Sequence, residues 1–384
     1  MSAPLRTFFR IAVLLQVGLL LPIGARAQDP PPFQLQVDYS PHGMVSAAQP
    51  LATWAGVQML EAGGNAADAA VAAAFAVAVV EPTMNSIGGR TQILVRLPDG
   101  EVRGIDATTQ APATYDPETA IQADNGYAVI GVPGAVAGLV RLHAEFGKLP
   151  LEAVMEPAIR FARDGFPVNS IVAGQLASAA SDASEFEGTR RLYLKPDGSP
   201  FGEGEVLANP ELAATLTTIA RTEGEAFYRG EIARRMAEDI QANGGAVTLQ
   251  SLLDYRAEDA LVVRGSYRGY DLAGSYIPSA GALSIEALHI LEHFDLRSMD
   301  PAERAAHVGM ALSMAFQDWQ LQGPPEMADR LTSKEWAAQR AQEMSELVRG
   351  AGVGSFAGRS AGASATVRGV QDPLAHLTGS HTTQ

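Results

Sequence analysis

The sequence predicts an α+β fold in which strands from early and late segments share a sheet and helices pack on it. Three observations point that way. "AADAAVAAAFAVAVV", Ala66 to Val80, is apolar almost all round, the pattern of a buried helix. "TQILVRL" and "EVRGIDA" flank Asp99-Gly100, the pattern of a hairpin. A further strand is expected far along the chain, from Tyr267 to Ser275.

Each element follows from local chemistry. Pro50 suits a first helical position and Gly63-Gly64 stops a helix, so Pro50 to Glu61 reads as one. Asn65 is placed to cap the next helix, with Asp68 three residues on to complement its free amides; Glu81-Pro82 ends that helix. "SIGG", Ser86 to Gly89, is a turn into the hairpin. Tyr127 to Val132 is a strand candidate closed by Pro133-Gly134, and a helix is expected from Ala135 to Phe146. Several helices fill 151 to 245. Pro278 to Gly281 is a loop into a helix from Leu283 to His293, and another helix covers roughly Ala302 to Gln320. From Gly350 to Gly369 the composition collapses to Gly, Ala and Ser, a flexible linker.

The 384 residues are 47% hydrophobic, enough for one large domain or two ordinary ones. A net charge of −15 repels polyphosphates and argues against nucleic-acid binding. The absence of cysteine excludes disulfides, thiolate zinc sites and a cysteine nucleophile. At the start, Arg6 and Arg10 precede a short apolar run, Ile11 to Ile23, and then Ala25-Arg26-Ala27. This pattern reads as a secretory signal peptide cut after Ala27, with an uncleaved anchor as the alternative. Export to a periplasm or the medium is the expectation.

Three short patterns are candidates for chemistry. "HILEH" could place His289 and His293 on one zinc ion with Glu292 as base. The helix phase opposes this: Leu283, Ala287, Ile290 and Leu291 share one arc, and the histidines fall opposite with Glu286, as a polar surface face. "GRSAG", Gly358 to Gly362, fits a nucleophile elbow but lacks the flanking strand and helix. Asp372 and His376 also follow it too closely for the usual acid and base. The third pattern is the terminal "GSHTTQ". Cutting between His381 and Thr382 would give Thr382 a free α-amine beside its own hydroxyl, and an amine with a pKa of about 7.7–8.0 can take that proton near neutral pH. A ragged polar end is the alternative reading.

Longer stretches resemble one family. "AGGNAADAAVAAAFAVAVVEP" (Ala62 to Pro82), "GVPGAVAGL" (Gly131 to Leu139) and "PAIRFARDGFPV" (Pro157 to Val168) resemble gamma-glutamyltranspeptidases, also called glutathione hydrolases. "PSAGAL" with "LHILEHFDL", and "LTSKEWAAQRA" (Leu331 to Ala341), continue the likeness in the same order. The resemblance implies an N-terminal nucleophile hydrolase, a four-layer αββα sandwich made as one precursor that cuts itself before a threonine. By that likeness Thr382 is the nucleophile, Thr383 its neighbour, and His381–Thr382 the processing site.

The implied organisation is a signal peptide over 1–27, a disordered lead over 28–41 and a large-subunit domain over 42–345. A linker over 346–381 and the start of a truncated small subunit at 382–384 complete it. The sandwich would be incomplete without the small subunit, the expected partner. The implied substrate is a small-molecule amide or γ-glutamyl compound, with no metal or organic cofactor, no nucleic acid and no membrane association after signal removal.

Three departures stand out. Thr108, in "DATTQAPA", occupies the position where the family carries an arginine for the substrate α-carboxylate. Arg90-Thr91 breaks the family's glycine run, so Arg90 is a candidate stand-in cation, with a surface arginine at a turn as the alternative. Gln384 replaces a histidine. Loss of the arginine favours a related amidase or acylase as a rival function; a non-catalytic truncated remnant is another.

Overall fold

Gln49 opens the first helix by accepting from the amide of Leu51, and Asn65 opens the second by accepting from Ala67 and Asp68. The computed structural model describes residues 39–118 and 123–350. The expected signal peptide and "HTTQ" terminus therefore lie outside the described residues, as do "GRSAG", Asp372 and His376; of the expected 346–381 linker, residues 346–350 are instead the end of a helix and the rest lies outside. The chain divides into a unit ending at Met44 and a main unit from Val45. Of the first, residues 39–44 contain no helix or strand.

The main unit begins with α1 (Pro50–Glu61) and α2 (Ala66–Val80). A hairpin follows, β1 (Thr91–Arg96) and β2 (Val102–Ala107), then α3 (Ala135–Phe146) and α4 (Leu151–Asp164). A helical stretch, interrupted by the short pair β3 (Phe166–Pro167) and β4 (Val206–Leu207), holds α5 (Ser170–Glu185), α6 (Glu187–Tyr193) and α7 (Pro210–Arg221). It continues through α8 (Glu225–Arg229), α9 (Glu231–Ala242) and α10 (Leu249–Asp254). Next come β5 (Glu258–Asp259), β6 (Val262–Tyr267) and β7 (Tyr270–Ser275). The last described helices are α11 (Gly281–Leu291), α12 (Pro301–Gln317), α13 (Pro325–Leu331) and α14 (Lys334–Gly350).

The sheet β1-β2-β5 joins an early hairpin to a late strand, with Ile105 opposite Asp259. At the hairpin turn Gly100 has φ 91°, which a side chain would strain, and its amide bonds Leu97 O. One sheet face, bearing Thr91, Ile93, Ile105 and Ala107, lies toward α3. The other bears Gln92, Leu94, Asp106 and Thr108, because side chains alternate along a strand.

Helix α2 is buried as its composition predicts: Val71, Phe75, Ala76 and Val80 are fully enclosed, packed with α1, α3 and α4. Its first turn is held by a buried carboxylate. Asp68 accepts from the amides of Asn65 (2.8 Å), Lys148 (3.0 Å) and Leu149 (3.2 Å). The Asn65 side chain donates back to Phe146 O at 2.6 Å. The carboxylate thus ties the start of α2 to the α3–α4 turn.

Three expectations are corrected. Residues 127–132 are not a strand: Tyr127–Val129 is a 3₁₀ turn, and only Val132 pairs, with Gln110. Gly126 at φ 86° starts that turn, and the Tyr127 hydroxyl donates to Asp239. The late strand is half of a hairpin, β6–β7, turned by Arg268 and Gly269, both at positive φ. Arginine is an unusual residue for that conformation, so the turn was hidden in the sequence. Finally, Glu286 and His289 are not a surface face: both are buried, because β6, β7, α12, α13 and α14 pack around α11.

Close approach of α3 to the hairpin requires a missing side chain at Gly138. A Cβ there would lie 2.5 Å from Ala107 Cβ and 2.6 Å from Thr91 Cγ2. Gly138→Ala is expected to lower unfolding free energy by about 1–3 kcal/mol, the clash outweighing the better helix propensity. Urea denaturation at fixed pH measures it; an unchanged or higher midpoint would contradict the close packing.

Candidate active site

The register that ends with Thr91 opposite Ala107 makes Arg90 and Thr108 the next residues on the two strands, at the open end of the hairpin. The structure thus brings together the two substrate-site candidates named from sequence. Thr108 is firmly held. Its amide donates to Asp106 Oδ1 at 2.9 Å and its hydroxyl donates to the same oxygen at 2.6 Å. Gln92, directly across from Asp106, donates to Thr108 Oγ1 (3.3 Å) and Asp106 Oδ1 (3.4 Å). The Thr108 hydroxyl proton is therefore committed to Asp106.

Two buried tyrosines that sequence reading missed set the backbone here. The Tyr255 hydroxyl donates to Thr108 O at 2.8 Å. Its ring stacks on Tyr228, centroids 5.5 Å apart and planes within 12°. The Tyr228 hydroxyl donates to Pro133 O and accepts from the amide of Ala137, which satisfies a free amide at the start of α3. Burial raises both phenol pKa values, so both stay protonated as donors. "YRG" and "DYR" carry no pattern marking these residues; only the fold brings them together.

The turn before β1 is stitched to the same helix. Gly89 O accepts from the amides of Gly134 (2.9 Å) and Ala135 (3.0 Å), and Ser86 Oγ accepts from Gly88. Arg90 is exposed and, among the described residues, makes no hydrogen bond or ion pair. With Asn85, Ser86, Phe75 and Val136 it lines a cavity of about 40 Å³. That volume suits a water or two and not an acyl group.

The "HILEH" pattern does not make a site. Helix α11 stops at Leu291, Glu292 caps it, and His293 is exposed, while His289 is buried against Gly265 and accepts from the Ser266 amide. Glu292 instead binds Lys334 and the amide of Arg268. Among the described residues no cluster of His, Cys, Asp or Glu could hold a metal ion. His381, Thr382 and Thr383 lie outside the described residues.

The sequence model of the gamma-glutamyltranspeptidase family matches residues 52–356. The chain belongs to the gamma-glutamyltranspeptidase family. A glutathione hydrolase proenzyme of Escherichia coli is 36% identical over 267 residues, covering 66% of this chain and 46% of the relative. An acylase ACY 1 proenzyme of Pseudomonas sp. (strain V22) is 38% identical over 294 residues, covering 72% and 52%. The chain spans about half the length of the curated relatives it matches. Among solved structures, Helicobacter pylori gamma-glutamyltranspeptidase aligns with a TM-score of 0.76 at 28% identity, covering 80% of this chain and 93% of that one. Cephalosporin acylase from Bacillus halodurans aligns at 0.75 and 32% identity, covering 83% and 62%. The α+β fold expected of this N-terminal nucleophile hydrolase family is therefore the fold of this chain.

Tyr255→Phe removes one hydrogen bond and leaves Thr108 O without that donor. The variant of this family member is expected to lose about 1 kcal/mol of stability. Chemical denaturation reads it; no loss would mean that the Tyr255 hydroxyl does not anchor the hairpin end.

Proposed function

We propose that this chain is the large-subunit portion of an exported amide hydrolase and acyl transferase of the gamma-glutamyltranspeptidase type. The family match over residues 52–356 carries this reading. It is supported by relatives whose names include "proenzyme" and by the threonine pair at 382–383. Thr382 is the proposed nucleophile. Once the bond from His381 is cut, its α-amine takes the hydroxyl proton and the alkoxide attacks an amide carbonyl. The amine leaving group takes that proton, an acyl-threonine ester remains, and water or an amine receives the acyl group. Thr383 is the neighbouring hydroxyl. The proposed partner is a small subunit that supplies the rest of the site. Residues 1–27 are proposed as a signal peptide, 28–41 as a lead, 42–350 as the large-subunit domain and 351–381 as a linker. Among the described residues no helix is long and apolar enough to cross a membrane.

The main reading takes a γ-glutamyl substrate, with Arg90 as the cation for its α-carboxylate. A second reading, an acylase whose substrate lacks that carboxylate, is favoured by Thr108. Its hydroxyl is spent on Asp106, so the position offers an anion neither charge nor a free donor.

Two outcomes test these readings. In a precursor continued through a small subunit, intact-mass measurement is expected to find cleavage between His381 and Thr382, and Gln28 as the first residue of exported material. Thr382→Ala is expected to abolish both cleavage and amide turnover. An uncut precursor that hydrolyses amides would overturn the N-terminal threonine mechanism. In the same precursor, Thr108→Arg is expected to raise kcat/KM for glutathione by about tenfold or more, since a charge-assisted bond is worth about 1.5–3 kcal/mol. Strong wild-type turnover that Thr108→Arg leaves unchanged would remove the second reading.

A further inference from the structure

Helix α12 has two apolar faces, and only one of them is used inside the chain. His307, Ala311, Met314 and Ala315 turn inward and are buried. On another side Ala302, Ala305, Gly309, Leu312, Phe316 and Trp319 recur at alternating steps of three and four residues, and all six are exposed. Trp319 lies in the 3₁₀ turn Asp318–Leu321 that prolongs the helix. Alternating steps of three and four are the seam of a helix that pairs with another helix. The three large members, Leu312, Phe316 and Trp319, are 45%, 46% and 42% exposed. The Phe316 and Trp319 rings stack on each other, with centroids 6.4 Å apart and planes within 5°.

The row is graded from small to large, and that grading selects its occupant. Reversed and laid against itself, it sets Ala302 against Trp319, Ala305 against Phe316 and Gly309 against Leu312. Every layer then joins a small residue to a large one, the arrangement that lets two helix faces interdigitate. A two-fold axis produces this match by itself, because the same patch serves both copies. An unrelated partner gives no reason for one half of the row to fit the other. Gly309 is the central hole. A Cβ there would meet nothing within 4 Å, so the fold of one chain does not call for glycine at this point, although glycine weakens a helix interior.

Charge permits the same contact. A net charge of −15 makes two copies repel over most of their surface. From Ala305 to Leu321 there is no Lys, Arg or Glu. The one acid of that stretch, Asp318, is buried with Arg340 Nε 3.1 Å from its Oδ2. A seam of this length, counted on both copies, covers on the order of 1,000 Å², the size of a weak, reversible complex.

We propose that a second copy of this chain docks on the row, with α12 antiparallel to α12 about a two-fold axis that passes between Gly309 and Leu312. The axis repeats each layer once. Two Gly309–Leu312 layers form the centre, and the stacked rings of each copy cover the alanines of the other at both ends. Association removes the exposed rings from water and places no charge in the seam.

Sedimentation velocity over roughly 1–200 μM, on the 384-residue chain and on a precursor continued through a small subunit, tests this. A reversible monomer–dimer equilibrium is expected in both. Gly309→Lys and Leu312→Glu are each expected to raise the dimer Kd at least tenfold, because each puts a charge into both central layers. Mixed together, the two variants are expected to associate at least tenfold more tightly than either alone. In the mixed dimer one central layer sets an ammonium against a carboxylate, and the other keeps leucine against glycine. The open space at Gly309 leaves Gly309→Lys free to fold, so that variant decides by itself if Leu312→Glu does not fold. A chain that stays monomeric over the whole range, self-association that Gly309→Lys leaves unchanged, or a mixture of folded variants that associates no better than either alone would each overturn the proposal. A precursor that stays monomeric where the 384-residue chain dimerises would give the row to the small subunit and overturn it as well.

Discussion

Helix α3 lies so close on strand β2 that backbone replaces side chain at the contact. A Cβ on Gly134 would overlap Ala107 O and the Tyr255 hydroxyl, and one on Gly138 would meet Ala107 and Thr91. The candidate site depends on that approach. It lets Gly89 O collect two amides from the start of α3, which fixes the turn carrying Arg90. It leaves room for the stacked pair Tyr228 and Tyr255, one bonded to Pro133 O before the helix and the other to Thr108 O after the strand. The open end of the hairpin is thereby clamped from both strands. A residue placed there keeps its position without help from a loop of its own, which suits a substrate-recognising position.

Much of the helical framework was legible because its signals are local. Pro50, Gly63 and the Asn65–Asp68 pair act within one turn, and α1, α2 and α3 run over the residues their caps and apolar patterns predict. The hairpin was legible for the same reason: Asp99-Gly100 makes its own turn, with Glu101 N donating to Asp99 Oδ1. Asp68 shows where local reading ends. Its role as a helix-start acid was visible, but its bonds to Lys148 and Leu149, some eighty positions away, belong to the packing.

The misreading of α11 has a single cause. Helical phase sorted Glu286 and His289 onto a polar arc, on the premise that one face of α11 meets water. That premise fails when a helix is walled in by two strands and three helices. Polar groups then stay inside, and each needs its own partner: a Trp336 indole for Glu286, the Ser266 amide for His289. Composition could hint at this only weakly, since "GALSIEALHIL" is almost as apolar as α2. At the candidate site, Arg90 and Thr108 stood out through resemblance alone. Their adjacency is a consequence of strand register, and the tyrosines behind them left no sequence pattern at all.

The two faces of the hairpin differ in a way that bears on chemistry. Toward α3 the side chains are Thr91, Ile93, Ile105 and Ala107, and the glycines of the helix press directly on them. The opposite face carries Gln92, Asp106 and Thr108 bonded to one another, with Leu94 42% exposed beside them. A sheet that buries one face on a helix and leaves the other half-polar is the inner layer of a sandwich only if something further covers it. In the proposed precursor the small subunit would fill that place and would bring its acyl group against this polar row. The row is rich in acceptors: Asp106 receives three donors on a single oxygen, and Gln92 Oε1 is buried with none. Such a surface welcomes a hydrogen-bond donor more readily than a carboxylate. A glutamyl substrate would therefore need the Arg90 guanidinium, free of partners among the described residues, to reach across the hairpin end and offset Asp106; a simpler acyl substrate makes no such demand.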